Sequence, residues 1–351
     1  MSEPLRVGVI GVGAVAQVHL QAYRELPTIK VVAAADPQAE RLAEVASSHS
    51  LRAYASAEAM LAAEKLDIAC VLTPTAAHEE ATVACARAGV NVLCEKPLSI
   101  SIDACERMIA ACREHGVLLG YGASYRFLPA VIEARRLIQS GALGDVLLMR
   151  EFAVGGTGPA HRGTLGPHHF PLGGPGGSGM GLIDHGVHLI DTFSWLIDSP
   201  IRSVLGRGNI AGQTQRPEFM AMEFANGAIG HLLYEDGTFP TELPAEGHFS
   251  WGAGWDVSGF VEPGNWQSQP GCIHVHGTAG ALRVLHYGNH IYWTTRHGTR
   301  QLPVPGPAMP GNFTMQMAAF AEAVRTGQPA PVPGEIGLAA CRALLSVYAN
   351  A

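Results

Sequence analysis

The N-terminal segment LRVGVIGVGAVA, residues 5–16, decides the fold. The apolar run Leu5–Ile10 predicts a buried β-strand, and the pattern G-x-G-x-x-A follows it directly. Gly11 allows a tight turn, Gly13 lets the main chain approach a diphosphate, and Ala16 lets helix and strand pack closely. The phosphates would lie at the N-terminus of the following helix, whose unpaired N–H groups attract anions. We therefore predict a dinucleotide-binding turn formed by Gly11, Val12, Gly13, Ala14 and Val15.

An acidic residue follows the second predicted strand. Val31–Ala35 is strand-like, and Asp36 comes directly after it. A carboxylate there can bind both ribose hydroxyls and repels a 2′-phosphate, so we expect NAD as the cofactor, with NADP less favoured. Asp36 can also cap the helix that begins at Pro37, and the two roles are compatible. Arg41 leaves NADP open as an alternative, because its guanidinium could reach a 2′-phosphate.

The first third of the chain continues to alternate strands with helices. Apolar strands separated by helices indicate a parallel sheet that is covered on both faces. We therefore predict an α/β fold whose N-terminal Rossmann domain spans residues 1–122. The further strands are predicted at Ile68–Leu72, Val90–Cys94 and Val117–Leu119, and the further helices at Pro37–Ser48, His78–Ala88 and Ile102–His115.

The pattern changes near residue 122. After a predicted helix at Pro129–Ser140, strand-like segments lie at Asp145–Val154, Ser203–Ile210, Phe219–Phe224, Ala228–Tyr234, Cys272–Gly277, Ala281–Leu285 and His290–Arg296. Their spacing, with a hairpin signal at Asn226-Gly227, predicts an antiparallel sheet. Two long loops, at about 155–181 and 236–270, are expected to be functional. The second domain would span residues 123–351 and end in helices at about 313–350.

The composition excludes several classes of protein. Of the 351 residues, 47% are hydrophobic and 15% charged, the net charge is −7, and no basic block occurs, so no nucleic-acid partner is expected. No stretch approaches the roughly 18 apolar residues that cross a bilayer, and the N-terminus lacks a signal-peptide pattern. Seven cysteines without a CxxC pair indicate buried free thiols in a reducing compartment. We expect a cytoplasmic protein without a membrane partner.

A lysine follows the predicted strand Val90–Cys94, in the sequence Cys94-Glu95-Lys96-Pro97. The carboxyl ends of parallel strands face the ligand crevice, so Lys96 is predicted to lie at the cofactor. Its side chain can polarise a hydroxyl or carbonyl oxygen there, or pass a proton. The alternative is a surface lysine ahead of Pro97.

A second group of polar residues lies in Asp184-His185-Gly186-Val187-His188-Leu189-Ile190-Asp191. If this segment is helical, Asp184 and His188 share one face and His185 points elsewhere. Oxidation of an alcohol requires removal of its hydroxyl proton, and a histidine beside a carboxylate suits that task near neutral pH. Such pairs also occur on ordinary helices, so this one gains its significance from Lys96 and the nucleotide-binding fold.

In combination these motifs resemble the Gfo/Idh/MocA family, named for glucose–fructose oxidoreductase, inositol dehydrogenase and a rhizopine-catabolism protein. The resemblance extends over essentially the whole chain. It implies a C-terminal α/β domain with a large, mostly antiparallel sheet, whose open face commonly forms a homodimer or homotetramer interface. It rests on the glycine turn, Asp36, Thr73-Pro74 with His78, Glu95-Lys96-Pro97, Arg126-Phe127 with Pro129, and the segment from Asp184 to Asp191.

The resemblance also implies roles for individual residues. As in the inositol dehydrogenases, His188 would be the base, Asp184 would tune it, and Lys96 would assist at the substrate oxygen. The family needs no metal, and we expect none here. Beyond the glycine turn and Asp36, the cofactor-binding residues would be Thr73, Pro74, His78, Glu95, Lys96 and Arg126.

Departures from the family pattern concern the substrate. Ser124 stands where the family often has asparagine, and Ser178-Gly179-Met180 replaces a common glycine triplet. A zinc site built from Asp184 and two or three of five histidines is disfavoured, because no HExxH or cysteine-rich ligand set occurs and the resembled family needs no metal. These histidines are His161, His168, His169, His185 and His188. We expect substrate contacts from Tyr125, Arg162, His168 and His169, the alternative being a solvated loop.

The sequence thus predicts an NAD-dependent oxidoreductase that moves a hydride between nicotinamide and a hydroxyl carbon of a sugar, cyclitol or related polyol. Two alternatives remain. One is an NAD-dependent glycoside-cleaving enzyme that acts by transient oxidation and elimination. The other is a non-catalytic, nucleotide-sensing regulator.

Overall fold

The computed structural model describes residues 3–154, 174, 181–210, 212–214, 216–235, 238, 248–250, 254–256, 272–307 and 309–348. The chain divides into two compact units. The first contains residues 1–127 and 309–341, and the second contains residues 128–308 and 342–351. The sequence predicted one break near residue 122 and assigned the C-terminal helices to the second domain. In the structure, residues 309–341 belong to the N-terminal unit and not to the second one.

The first unit is built on a six-stranded parallel sheet in the order β3-β2-β1-β4-β5-β6, the predicted Rossmann arrangement. The strand order reverses between β1 and β4, where such sheets bind ligands. The strands are β1 (Leu5–Ile10), β2 (Ile29–Ala35), β3 (Arg52–Tyr54), β4 (Ile68–Val71), β5 (Asn91–Cys94) and β6 (Leu119–Tyr121). The helices are α1 (Ala14–Tyr23), α2 (Ala39–His49), α3 (Ala57–Ala63), α4 (His78–Arg87) and α5 (Ile102–Glu114). The sequence missed β3, an edge strand without an apolar run.

Successive residues of the central strands pack into two different cores. In β4, Ile68 and Cys70 belong to one core, whereas Ala69 and Val71 belong to the other. A strand that is buried on both faces must be apolar throughout, which explains why the central strands of this unit show no alternation of apolar and polar residues.

The second unit contains an eight-stranded sheet in the order β16-β15-β14-β13-β7-β10-β9-β8. Neighbouring strands are antiparallel except for the parallel pair β7 and β10, so the mostly antiparallel sheet is confirmed. The strands are β7 (Val146–Val154), β8 (Ile201–Arg207), β9 (Glu218–Phe224), β10 (Ile229–Glu235), β13 (Ile273–Gly277), β14 (Ala281–Leu285), β15 (His290–Thr295) and β16 (Gly298–Leu302). A separate pair consists of β11 (His248–Ser250) and β12 (Gly254–Asp256).

The two faces of this larger sheet differ in burial. The helices α6 (Pro129–Gln139) and α7 (Val187–Ile197) pack against the strands of its inner face. Inward residues such as Met220 and Leu232 are fully buried, whereas Leu205 and Ile229, on the outer face, are 72% and 40% exposed. The outer face therefore presents apolar side chains to solvent.

The C-terminal segment completes both cores of the first unit. The helix α8 (Gly311–Thr326) contributes Phe313, Met317 and Phe320 to the core that contains Val7 and Val9. The following helix, α9 (Gly334–Ser346), contributes Cys341 to the other core. These apolar contacts are the physical reason why residues 309–341 belong with the N-terminal unit, and no local sequence signal identifies them.

Two further features that the sequence analysis considered are the cysteines and membrane-spanning helices. All seven cysteines are buried free thiols, as the sequence predicted. Among the described helices, none has the length and apolar character that a bilayer crossing requires.

Candidate functional site

The glycine turn has the backbone that its sequence predicts. Gly11 has φ +89°, and a Cβ built on it would lie 2.7 Å from the Thr73 nitrogen and 2.8 Å from the Leu72 carbonyl. Both the left-handed backbone and the close approach therefore require glycine. Gly13 is different, since its φ is −69° and a Cβ there would meet no described atom within 4 Å. Gly13 thus borders open space at the start of α1, where the N–H groups of the first turn can bind an anion.

Asp36 is a buried anion beside this turn. Its carboxylate accepts hydrogen bonds from Val12 N–H at 2.9 Å and from Gln38 N–H at 2.8 Å, the latter just before α2 begins. The Arg41 guanidinium lies 2.9 and 3.1 Å from its two oxygens. Burial would raise the pKa of Asp36, but the hydrogen bonds from Val12, Gln38 and Arg41 outweigh burial and hold the pKa below its usual value. Arg41 is therefore engaged by the same carboxylate that is predicted to select NAD.

The loop after β4 carries Thr73, Pro74 and His78. The Thr73 hydroxyl is buried and has no hydrogen-bond partner among the described residues. Pro74 precedes a short 3-10 turn, and His78 begins α4. The Nε2 atom of His78 lies 3.0 Å from the Thr73 carbonyl, and its Nδ1 atom lies 3.1 Å from the Pro97 carbonyl. Burial lowers the pKa of His78. The ring thus ties the β4 loop to the turn that follows Lys96.

Glu95 and Lys96 follow β5, and Glu95 is bound to α1. Its Oε1 atom lies 2.9 Å from His19 Nε2, and its Oε2 atom accepts a hydrogen bond from Lys96 N–H at 3.0 Å. His19 Nδ1 lies 2.7 Å from the Tyr23 hydroxyl. Burial raises the pKa of Glu95, but the hydrogen bond and charge of His19 outweigh it, so the pKa is lowered. This network fixes the main chain at Lys96, whose side chain is half-buried.

His19 is a functional candidate that was not predicted from the sequence. Its only signal is its spacing, three residues after the buried Ala16 and four before Tyr23, which places it on the buried face of α1. No local pattern identifies Glu95 as its partner, because the two residues are 76 positions apart.

The segment that contains Asp184 and His188 is not one continuous α-helix. Residues Leu182–Gly186 form a single turn of π-helix, here called the π-turn, and α7 begins at Val187. Such turns are frequent at functional sites. From residue 181 to residue 193, all of which the structure describes, only Asp184 and His188 are partly exposed. His185, which was predicted to point elsewhere, is buried and lies 2.9 Å from the Glu151 carboxylate.

The predicted substrate residues are distributed differently. Tyr125 and Arg126 lie in a 3-10 turn, Ser124–Phe127, in which Tyr125 is buried and Arg126 is half-buried. Arg162, His168 and His169 lie outside the described residues.

Glu151 is a second functional candidate that the sequence analysis missed. It lies in β7 in phase with the buried residues Met149 and Ala153, and it is itself fully buried. A charged residue at an inward position of a strand is a signal that the alternation alone could have given.

The residues of the first unit fit NAD. The open space at Gly13 and the N–H groups of α1 suit a diphosphate, and the anionic Asp36 suits ribose hydroxyls. The buried Thr73 hydroxyl, without a partner among the described residues, offers a further hydrogen bond at the carboxyl end of the sheet.

Comparison with known proteins identifies both parts of the chain. The family model described as "Oxidoreductase family, NAD-binding Rossmann fold" (GFO_IDH_MocA) matches residues 5–123. The model of the GFO/IDH/MocA C-terminal domain matches residues 131–283. Together the two matches span most of the sequence.

Individual similar proteins agree with this result. An uncharacterized oxidoreductase of Bacillus subtilis, YrbE, is 25% identical over 97% of this chain and 93% of its own length. The D-glucoside 3-dehydrogenase of Escherichia coli is 32% identical over 58% of this chain and 57% of its own length. The fold matches that of an oxidoreductase from Agrobacterium radiobacter, solved with NAD+, L-tartaric acid and magnesium, with a TM-score of 0.77 at 17% identity over 99% and 97% of the two chains. The chain therefore belongs to the Gfo/Idh/MocA family of NAD-binding oxidoreductases.

Proposed function

We propose that this protein is an NAD-dependent dehydrogenase that transfers a hydride between nicotinamide and a hydroxyl carbon of a sugar or cyclitol. The observation that carries the proposal is the pair Asp184 and His188. They are the only partly exposed residues in a stretch of thirteen, residues 181 to 193, that is otherwise buried. A carboxylate and an imidazole that remain accessible in such a segment are suited to proton transfer.

His188 acts as the general base in this proposal. Oxidation of an alcohol carbon releases a hydride from the carbon and a proton from the hydroxyl, and His188 accepts the proton. Asp184 stabilises the imidazolium that results, because an opposite charge nearby favours the protonated ring. Bound NAD would supply the hydride acceptor.

Lys96 assists at the substrate oxygen. It follows β5 at the carboxyl end of the parallel sheet, and its main chain is fixed by the Glu95 carboxylate at 3.0 Å. An ammonium group there stabilises negative charge on the oxygen as the proton leaves. Its predicted role in binding the cofactor is part of the same proposal, as are the contacts from the glycine turn, Asp36, Thr73 and Arg126.

The substrate class rests on relatives. The E. coli enzyme with 32% identity is named for a D-glucoside, and other relatives are named inositol dehydrogenases. We therefore expect NADH formation when the purified protein and NAD are screened against sugars, inositols, aldonates and glycosides.

The decisive experiment replaces His188 once a substrate is found. His188→Ala should lower kcat by roughly 10²–10⁴, the usual contribution of a positioned base, while the affinity for NAD changes little. Lys96→Met should be similarly damaging, and the effects should be non-additive because the residues act on one step. His297→Ala, in the exposed turn between β15 and β16, is the control and should retain full activity.

The same screen separates the alternatives. Release of a glycone from a glycoside without net NADH formation would replace the dehydrogenase proposal by the glycoside-cleaving one. Binding of NAD without turnover of any compound would support the regulator instead. Normal kcat in His188→Ala would refute the assignment of the base.

A further inference from the structure

Three side chains with metal-ligating atoms meet in the second unit. Glu151 comes from β7, His185 from the π-turn, and His286 from the position directly after β14. One carboxylate oxygen and one ring nitrogen from each histidine all lie within 4.8 Å of one another. The sheet and the π-turn bring these residues together from distant parts of the sequence, and the proposed hydride transfer does not use them.

The cluster is buried, and one of its oxygens lacks a donor. Glu151, His185 and His286 are 0%, 3% and 2% exposed. Glu151 Oε2 accepts a hydrogen bond from the Tyr234 hydroxyl at 2.8 Å and lies 2.9 Å from His185 Nε2. Glu151 Oε1 has no hydrogen-bond partner among the described residues, and His286 Nε2 lies 3.8 Å from it. A buried carboxylate oxygen without a donor is costly, so a cation near it would be stabilising.

The charges of the cluster also suit a cation. Burial raises the pKa of Glu151, but the charge and hydrogen bond of His185 and the Tyr234 hydrogen bond outweigh burial, so the pKa is lowered. Burial lowers the pKa of His286 to about 4. An ionised carboxylate and a neutral imidazole are the forms in which these side chains bind metals.

We propose that Glu151, His185 and His286 form a binding site for one divalent transition-metal ion, with Zn²⁺ the best match. Two imidazoles and one carboxylate are a common ligand set for zinc. Tetrahedral bonds of about 2.0–2.1 Å place ligand atoms about 3.3 Å apart. Here His185 Nε2 lies 2.9 Å from Glu151 Oε2, His286 Nε2 lies 3.8 Å from Glu151 Oε1, and one ligand atom from each residue lies within 4.8 Å of the others, so side-chain shifts of about 1 Å would give that spacing. On binding, His185 Nε2 exchanges its contact with Glu151 for the ion, and the Tyr234 hydroxyl continues to orient the carboxylate. This differs from the sequence expectation of no metal.

The ion would join the π-turn to the sheet. The π-turn carries Asp184 and leads directly into His188, whose ring centroid lies 6.4 Å from that of His185. Fixing His185 to Glu151 and His286 therefore fixes the turn that presents the proposed catalytic pair. This second step rests on the proposed function, whereas binding of the ion does not.

Metal analysis of the purified protein tests the proposal directly. The protein is produced without a histidine tag, its metal content is measured by mass spectrometry, and it is then stripped with a chelator. We expect about one equivalent of metal per chain, a lower Tm after stripping, and recovery of the Tm with Zn²⁺. Titration of the stripped protein with Co²⁺ should give one saturable site with visible d–d absorption.

Substitutions locate the site. Glu151→Gln and His286→Asn should remove the Co²⁺ spectrum, and Tyr234→Phe should weaken binding by about 10- to 100-fold, as expected for a partner that only orients a ligand. The control is His276→Asn in β13, where His274 and His276 stack with centroids 6.1 Å apart and form a competing surface pair.

Two outcomes would overturn the proposal. One is that the stripped wild-type protein binds neither Zn²⁺ nor Co²⁺ at micromolar concentration, a result that requires no variant to fold. The other is that bound metal is lost in His276→Asn but retained in Glu151→Gln. Neither outcome depends on a substrate, so failure of the proposed dehydrogenase activity remains a separate result.

Discussion

Replacing glycine by alanine should have different effects at Gly11 and at Gly13. At Gly11 an added Cβ meets main-chain atoms at 2.7–2.8 Å, and φ is +89°. A left-handed backbone costs an L-residue roughly 1–2 kcal/mol, and an overpacked contact costs about 1–3 kcal/mol more. We therefore expect Gly11→Ala to destabilise the first unit by about 2–5 kcal/mol.

That free energy corresponds to a measurable shift in melting temperature. The first unit has 127 residues from 1–127 and 33 from 309–341, or 160 in all. For a unit of this size each kcal/mol lowers Tm by about 2–4 °C, so Gly11→Ala should lower it by about 4–20 °C. Circular dichroism reports the unfolding of both units. Tryptophan fluorescence reports only the second unit, which contains every tryptophan of the chain, so the Tm measured by fluorescence should fall less. The tryptophans are Trp195, Trp251, Trp255, Trp266 and Trp293.

Gly13→Ala should leave the stability of the first unit almost unchanged but weaken the binding of NAD. Its φ of −69° and ψ of −169° are allowed for alanine, so stability should change by no more than about 1 kcal/mol. The methyl group would occupy space that we assign to the diphosphate, so NAD affinity measured by calorimetry should fall at least about tenfold, or about 1.4 kcal/mol. Equal melting temperatures for Gly11→Ala and wild type, or unchanged NAD affinity in Gly13→Ala, would refute this reasoning.

Three further predictions concern Asp36, Glu95 and the outer face of the larger sheet. Calorimetry should show that the wild-type protein binds NAD more tightly than NADP. Asp36→Ala should reduce the ratio of the two affinities at least tenfold. Equal affinities of the wild-type protein for NAD and NADP would show that Asp36 does not select between the two cofactors. The pKa of Glu95 is lowered on folding, so its stabilisation is complete above its unfolded pKa of about 4.3 and is lost as pH falls through the folded value. Glu95→Gln should therefore flatten the decline of the urea midpoint between about pH 5 and pH 3, whereas the exposed Glu80→Gln should leave the decline as steep as in wild type. We expect a homo-oligomer by light scattering that Leu205→Glu dissociates and Ile132→Glu, on α6, does not; a monomeric wild type would contradict this.

The residues that could be predicted from the sequence are those whose expected roles depend on residues close to them along the chain. The glycine turn needs only the strand before it and the helix after it, and Asp36 needs only the end of β2. The approximate strands of the second unit followed from their apolar runs and from the hairpin at Asn226-Gly227. In each case the residues that determine the feature lie in the same short segment as the feature itself.

The features that were missed depend on contacts between distant segments. His19 meets Glu95 only because α1 and β5 contribute to the same core. Glu151 meets His286 only because β7 and β14 flank β13 in the sheet. The π-turn adds a residue to one helical turn without a glycine or proline pattern that identifies it. The return of α8 to the first unit reflects which core accepts Phe313 and its neighbours, and helix periodicity cannot distinguish between two cores.

The return of α8 and α9 also sets an order for folding during synthesis. Residues 127 and 309 are separated by 182 positions, so at about 5–20 residues per second the ribosome needs roughly 9–36 s to reach the second part of the first unit. During that interval the core that contains Val7 and Val9 lacks Phe313, Met317 and Phe320. The N-terminal segment therefore keeps part of its core exposed until residues 309–341 have been synthesised, and apolar surface exposed in this way makes folding intermediates prone to aggregate.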